Sequence, residues 1–205
     1  LPKLMYFMDE PVAGPGLFPQ YFVSKMAAQH VKVVLGGQGG DEIFGGYMRY
    51  LVAYLEECIR GGIEGTQDDD RYVVGFESIL PNLIQLQGYQ PMLRHLWQDG
   101  LFEAPDKRYF RLIDRSSEIK HLLSVDIFAE NSSYNPFDSY QAIFNDGNLR
   151  SFINKMTRFD MQTLLPALLQ VEDRTSMAVS LESRVPLLDH RIAELVASMP
   201  PKIKF

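Results

Sequence analysis

Two adjacent carboxylates, Asp41 and Glu42, follow a glycine-rich turn and are the side chains best placed to do chemistry. A carboxylate at the rim of such a turn can hold a magnesium ion on the phosphate oxygens of a ligand. The turn itself, residues 36–40 (GGQGG), is costly in backbone entropy unless positive φ or a close approach to the backbone is needed. We therefore predict a phosphate-binding or carboxylate-binding site here. The alternative is a tight strand-to-helix turn whose acidic first helical turn suits the helix dipole.

The elements around this turn predict a parallel α/β core. Residues 31–35 are mostly apolar (Val31, Val33, Val34 and Leu35) and rich in β-branched side chains, which is typical of a buried strand. Residues 1–8 are also apolar and predict a first strand, and a helix over residues 20–30, with Pro19 near its start, joins the two. Strand, helix and strand form a βαβ unit, so the glycine turn would lie at the carboxyl end of a parallel strand, where backbone N–H groups suit phosphate.

The rest of the chain, residues 61–205, predicts a mainly helical structure. A helix over residues 47–60, ended by Gly61-Gly62, is expected to precede this part. Within it, helices are expected over residues 71–87, 92–98, 109–114 and 139–145, with loops over 66–71 and 131–138. The three aspartates in the first loop are interpreted as a helix cap and not as a metal site.

A second informative block covers residues 159–199. Its apolar residues 164–171 predict a buried helix, and a set of charged residues follows: Glu172, Asp173, Arg174, Glu182, Arg184 and Asp189. Buried charges need partners, so Asp173 is expected to pair with Arg174 or Arg184, and Glu182 with Arg184. We interpret Glu182, Arg184 and Asp189 as structural, with Asp189 capping the last helix, over residues 190–199. For Asp173 and Arg174, contact with a substrate or diphosphate remains open beside the structural interpretation.

Composition excludes several classes of protein. A net charge of −6 without any run of Lys or Arg argues against nucleic-acid binding. No apolar stretch is long enough to span a membrane, and no signal-peptide pattern is present. A single cysteine, Cys58 in a predicted helix, excludes an internal disulfide and a cysteine-rich zinc site, and the four histidines are scattered. We expect a cytoplasmic protein.

Three motifs together resemble the synthetase domain of glutamine-hydrolysing asparagine synthetases: LGGQGGDEIFGGYMRY, the upstream DEPVAGPG, and the downstream VEDRTSMAVSLESRVPLLDHRIAEL. The resemblance covers the two ends of the chain and is weak between residues 62 and 151. It implies an ATP pyrophosphatase fold and a ligase of asparagine biosynthesis. In this family, ATP adenylates the side-chain carboxylate of aspartate with release of diphosphate, and ammonia drawn from glutamine displaces AMP.

The resemblance also implies roles for individual residues. ATP and Mg²⁺ are the implied cofactors, a homodimer is compatible with the family, and Asp41 matches the aspartate near diphosphate and magnesium. The nucleotide-binding set is Leu35, Gly36, Gly37, Gly39 and Gly40. The catalytic set is Gln38, Asp41 and Glu42.

The sequence departs from the family in three ways. Gln38 stands where the family commonly has Glu or Asp, and a neutral amide can neither act as a base nor hold a cation as firmly. The family's diphosphate loop, SGG-x-DS, is not found in residues 1–205, and neither is the lysine that stabilises the adenylation transition state. The glutaminase domain, which begins with a nucleophilic cysteine, is also not found. Cys58 lies in a predicted helix and cannot take the place of that cysteine. We therefore expect residues 1–205 to be a partial synthetase domain that is inactive alone.

Two other functions remain open. One is amidation of a different carboxylate, in a sugar acid, a peptide or a β-lactam precursor, for which Gln38 leaves room. The other is a non-catalytic binding module on the same scaffold.

Overall fold

The computed structural model describes residues 2–10, 14–64, 88–98, 103–116, 120–122, 124–131, 133–147, 149 and 151–204. The chain forms two compact units, each discontinuous in sequence. Unit 1 comprises residues 1–46 and 159–199, and unit 2 comprises residues 47–158 and 200–205. The helix and loop predicted over residues 66–87 lie outside the described residues.

The described elements are mostly helical, with a small parallel sheet. In chain order they are α1 (Pro2–Met8), α2 (Leu17–Ala27), β1 (Val33–Leu35), α3 (Gly40–Phe44), α4 (Met48–Glu64), α5 (Gln90–Trp97), α6 (Pro105–Ile113), a 3-10 turn (Lys120–Leu122), α7 (Val125–Glu130), α8 (Pro136–Phe144), α9 (Phe152–Met177), β2 (Glu182–Arg184), a second 3-10 turn (Pro186–Leu188), α10 (His190–Ser198) and α11 (Pro201–Lys204). The α/β class is thus confirmed.

The sheet pairs β1 with β2 in parallel, in the register Val33 to Glu182 and Leu35 to Arg184. The strand predicted over residues 1–8 is wrong, because those residues form α1. Leu4 and Met8 are four residues apart and both buried, which is helical spacing, and they pack with Leu17 in a small core of unit 1. Apolar composition alone did not distinguish this short helix from a strand.

Strand β1 is shorter and more exposed than predicted. It begins at Val33 instead of residue 31, and Val33 and Leu35 are 41% and 74% exposed. The prediction of a buried strand is therefore wrong for these side chains. In the described part of unit 1, the sheet has two strands and leaves this side uncovered.

Helix α9 also differs from the prediction of a largely buried helix. Of its apolar residues 164–171, Leu165 is buried, whereas the others are half-buried or exposed. Pro166 lies inside this 26-residue helix, where it removes one backbone hydrogen bond. The charged residues that follow are mostly exposed, and Glu172 is the one among them that is buried.

Several other observed helix boundaries differ from the predicted ones. Helix α2 begins three residues earlier than predicted and holds Pro19 in its first turn. Helix α4 passes through Gly61 and Gly62 to Glu64, since the buried apolar face of α4 outweighs the low helix propensity of glycine. Helices α6 and α8 each begin at a proline, upstream of the predicted start.

Unit 2 is built around aromatic residues and a buried ion pair. Its core rings stack or meet edge to face, and they belong to Tyr50, Tyr109, Tyr140, Phe144 and Phe152. Arg108 of α6 forms a bidentate ion pair with Glu56 of α4. Cys58 is fully buried in α4, in agreement with its predicted helical position. No helix in the described part of the chain is long and apolar enough to cross a membrane.

Candidate functional site

The glycine turn lies at the carboxyl end of β1, as predicted, and leads directly into α3, which is the strand-to-helix arrangement of the alternative interpretation. Gly39 has φ of +87°, in the left-handed region that favours glycine, and it precedes the first residue of α3. A Cβ built on Gly39 would also meet the side chain of Leu188, with Cγ at 2.6 Å. Two independent constraints, conformation and space, thus require glycine at this position.

The two sequence blocks that carry the family resemblance meet at this turn. Strand β2 pairs with β1, and the 3-10 turn that follows β2 packs against the glycine turn through Leu187 and Leu188. Helix α10 in turn contacts α3. The downstream motif therefore supports the conformation of the upstream glycine turn.

The backbone N–H groups of the turn are partly available for a ligand. Gly36 donates its N–H to the carbonyl of Arg184 at 2.7 Å, so this group completes the sheet. The N–H of Gly40 donates to the carbonyl of Gly37 at 3.2 Å. Within the described residues, the amides of Gly37, Gln38 and Gly39 donate no backbone hydrogen bond. These three amides could donate to an anionic or carbonyl ligand.

The predicted carboxylates Asp41 and Glu42 have different environments. Asp41 is exposed, and its side chain lies against Gly46, at the end of the loop that follows α3. Glu42 is 1% exposed. Successive helical residues differ by about 100° around the axis, so one of two neighbours is turned inward. Of the two carboxylates, Asp41 is therefore the one at an open rim. Gln38, which lies between β1 and α3 in the chain, is half-buried.

Asp173 and Arg174 lie on the exposed side of α9. Arg174 pairs with Asp9 at 2.8 Å, and the two side chains are 46% and 65% exposed. The expected pairing of Arg174 with Asp173 is therefore replaced by one with Asp9, a residue in the left-handed region with φ of 63°. Glu182 does pair with Arg184 at 2.8 Å, as predicted, although this pair is exposed and not buried. An exposed pair of this kind adds little to stability.

Sequence reasoning missed the part played by Glu172, which lies directly beneath the glycine turn. Its Oε1 accepts a hydrogen bond from the Ser183 hydroxyl of β2. A Cβ built on Gly36 would lie 3.2 Å from its Cδ and 3.4 Å from its Oε2, with Oε1 nearer still. The signal was present in the sequence, because residues 165, 169, 172 and 176 follow helical spacing on one face of α9. A carboxylate within such a stripe indicates a buried acid.

The donor set limits which metal site is compatible with this structure. No group of three or more His, Cys, Asp or Glu side chains among the described residues could hold a metal ion. An all-protein metal cage is therefore not formed by these residues. A single exposed carboxylate such as Asp41 still fits Mg²⁺, which commonly keeps several waters and binds through one or two carboxylates plus substrate phosphates.

Asp189 caps α10, as predicted. Its carboxylate accepts from the Arg191 backbone N–H at 2.9 Å and from the Arg191 guanidinium at 2.7 and 2.9 Å. These hydrogen bonds lower the pKa of Asp189 to about 2. Since α10 contacts α3, this cap stabilises a helix that packs against the one following the glycine turn.

A cavity of about 370 Å³ lies in unit 2. Its lining residues are His95, Lys107, Phe110, Arg111, Asp114 and Phe137. Arg111 is paired with Glu103 at 2.8 Å, and the remaining charges of the lining nearly balance. None of the predicted site residues lines this cavity.

Comparison with known proteins agrees with the motifs. The Asparagine synthase family model matches residues 1–205. The chain is similar to asparagine synthetase [glutamine-hydrolyzing] 1 of Bacillus subtilis, with 31% identity over the whole chain and 30% of the relative's length. It is 28% identical to a putative asparagine synthetase [glutamine-hydrolyzing] of Mycobacterium bovis, over the whole chain and 29% of that protein. A putative asparagine synthetase [glutamine-hydrolyzing] 2 of Methanocaldococcus jannaschii is 50% identical over 28% of the chain and 11% of its own length.

No solved structure matches the chain. The chain spans about 30% of the length of the curated relatives that it matches from end to end. The family model nevertheless covers residues 1–205. The chain therefore belongs to the asparagine synthase family.

Proposed function

We propose that this chain is part of an ATP-dependent amidotransferase that converts aspartate to asparagine. The observation that carries the proposal is the glycine turn at the end of β1, with three available amides and the exposed carboxylate of Asp41, within a chain of the asparagine synthase family. The parallel β1–β2 pair and its flanking helices fit part of an ATP pyrophosphatase core.

In the proposed reaction, an oxygen of the aspartate side-chain carboxylate attacks the α-phosphorus of ATP. The bond from that phosphorus to the bridging oxygen breaks, and diphosphate leaves. Ammonia then attacks the carbonyl carbon of the aspartyl adenylate, loses a proton, and AMP departs with the bonding electron pair. The ammonia is drawn from glutamine elsewhere in the whole protein.

The residues of the turn would bind and orient the nucleotide. Amides of Gly37, Gln38 and Gly39 face no backbone acceptor in the described residues and suit oxygens of the nucleotide. Asp41 would hold Mg²⁺ on the diphosphate, and this ion supplies charge stabilisation to the leaving group. Glu42, being buried, would act on the fold of α3 and not on the substrate directly.

Gln38 favours a second candidate within the same family. Its neutral side chain at the turn gives less support to a positively charged or metal-bound group than a carboxylate would. Amidation of another carboxylate, in a sugar acid, a peptide or a β-lactam precursor, is therefore the alternative.

A panel of acceptors distinguishes the two candidates. The natural polypeptide that contains these residues would be incubated with ATP, glutamine and one carboxylate at a time, and products identified by mass spectrometry. Formation of asparagine from aspartate supports the first candidate. If aspartate is ignored while another carboxylate is amidated, and Gln38→Glu raises aspartate turnover, the second candidate replaces it.

A further inference from the structure

Glu172 is a buried carboxylate with one oxygen still available for a ligand. It is 8% exposed, and its Oε1 accepts the Ser183 hydroxyl. Within the described residues, Oε2 accepts no hydrogen bond. This oxygen is not one of the fully buried, unpaired polar atoms of the described residues, so a ligand can reach it and donate a hydrogen bond to it.

The position of this oxygen connects it with the glycine turn. Oε2 lies 3.4 Å from the place where a Cβ on Gly36 would be, and Oε1 is closer. Gly36 therefore has no side chain at the point where the carboxylate of Glu172 reaches the turn. The carboxylate contacts both strands' surroundings, because Ser183 is the central residue of β2 and Gly36 follows β1 directly.

The other polar groups at this position are already used. Gly36 donates its N–H to Arg184, and the Ser183 hydroxyl donates to Glu172. A ligand lying against Gly36 would thus find an acceptor at Oε2 rather than a donor. A charged acceptor selects a hydroxyl or an amino group and disfavours a phosphate oxygen.

We propose that Glu172 binds the nucleotide through Oε2, by accepting a hydrogen bond from a ribose hydroxyl or from the adenine amino group. This inference rests on the proposed function, since it takes ATP as the ligand of the turn. The phosphates then lie toward Gly37, Gln38 and Gly39, away from the negative charge of Glu172. Ser183 acts as a positioning residue that fixes Oε1 and so aims Oε2.

The test compares ATP with analogues that each lack one donor. The natural polypeptide is assayed for diphosphate release with ATP, 2′-deoxyATP, 3′-deoxyATP and purine riboside triphosphate, which lacks the amino group. The same assays are run on Glu172→Gln, in which an amide donor replaces one carboxylate oxygen at nearly constant size. Glu182→Gln is the matched control, because it removes a neighbouring carboxylate of β2 that is exposed and paired with Arg184.

We expect E172Q to raise the KM for ATP about ten- to hundredfold, with kcat little changed, because a hydrogen bond to a charged acceptor is lost from substrate and transition state alike. One analogue should show the same penalty with the unsubstituted enzyme, and E172Q should no longer discriminate against it. That analogue identifies the donor as ribose or adenine. E182Q should behave like the unsubstituted protein.

An ATP KM within twofold of normal in a folded E172Q variant would overturn the inference. So would an E172Q variant that still discriminates against each analogue as strongly as the unsubstituted enzyme does. If E172Q does not fold, Ser183→Ala takes its place, and a normal KM in that variant counts against the inference in the same way. Absence of ATP-dependent diphosphate release by the unsubstituted polypeptide has a different meaning. It contradicts the proposed function, and the inference is then rejected with it.

Discussion

Arg108 and Glu56 face each other across α6 and α4 with both of their hydrogen bonds at 2.6 Å, from Nε to Oε1 and from Nη2 to Oε2. The two residues are 2% and 4% exposed, so the pair is removed from solvent. A fork-to-fork geometry of this kind fixes the direction of both side chains as well as their separation. The pair therefore sets how α6 lies on α4 within unit 2.

Breaking this pair on one side should destabilise unit 2 strongly. Arg108→Met leaves the charge of Glu56 buried and uncompensated, which costs about 3–5 kcal/mol of unfolding free energy. Urea unfolding followed by the fluorescence of Trp97, the chain's one tryptophan, measures this loss. The double variant with Glu56→Met should recover much of it. A loss below about 1 kcal/mol in R108M would show that the pair is not buried as described.

Gly39 and Gly37 offer a matched comparison at the site. Gly39→Ala must adopt φ of +87° and meet Leu188, so we expect a loss of about 2–4 kcal/mol. Gly37 has open space around its Cα and no positive φ, and Gly37→Ala should change stability by no more than about 0.5 kcal/mol. Thermal unfolding followed by circular dichroism gives both values. Equal losses in the two variants would contradict the described turn.

Asp106 joins α6 to α8. Its carboxylate accepts from Gln141 and Asn145 at 2.8 Å each. Burial alone would raise its pKa, yet these two hydrogen bonds and that from the Lys107 backbone outweigh the effect and hold the pKa below its ordinary value. Asp106→Ala should therefore cost about 2–4 kcal/mol, because two amides lose a charged acceptor. Asp126→Ala, on the exposed first turn of α7, is the control and should be nearly neutral in the same urea unfolding experiment.

Asp189 predicts a specific loss of stability in acid. Its pKa falls from an ordinary 3.8 to about 2 in the folded chain, through the hydrogen bonds from Arg191. A group whose pKa is lowered by folding stabilises above its unfolded pKa and loses that contribution as the pH falls through the folded pKa. The contribution of Asp189 is thus complete above about pH 4 and lost toward pH 2. Asp189→Asn keeps a capping oxygen but should flatten the dependence of Tm on pH in this window. An unchanged slope would argue against the pairing with Arg191.

Local chemistry made several elements predictable from the sequence. The glycine turn and the cap at Asp189 are each specified by a few neighbouring residues, and the structure contains both. The helix directly after the turn matches the alternative, strand-to-helix interpretation. Helix α5 and the helical position of Cys58 likewise follow from local spacing. The prolines that begin α6 and α8 carry the same kind of signal, although the predicted helices started too late.

Long-range pairing was not predictable in the same way. Strand β2 is three residues long and holds no alternating apolar pattern, so its pairing with β1 some 150 residues earlier leaves no local trace. Helix α1 is equally hard to recognise, because its seven mostly apolar residues are compatible with a short helix and with a strand. The place of Glu172 beneath Gly36 depends on this pairing, since Ser183 of β2 holds its carboxylate.

Diphosphate release is the measurement that bears most directly on the proposed role of the glycine turn in ATP-dependent amidation of aspartate. The natural polypeptide that contains this chain would be given ATP, Mg²⁺ and glutamine or ammonia, with aspartate present or omitted. We expect diphosphate release that depends on aspartate and is matched by asparagine formed, with Asp41→Asn strongly impaired. Release that is absent with aspartate, in a folded protein that still binds ATP, would contradict the proposed function.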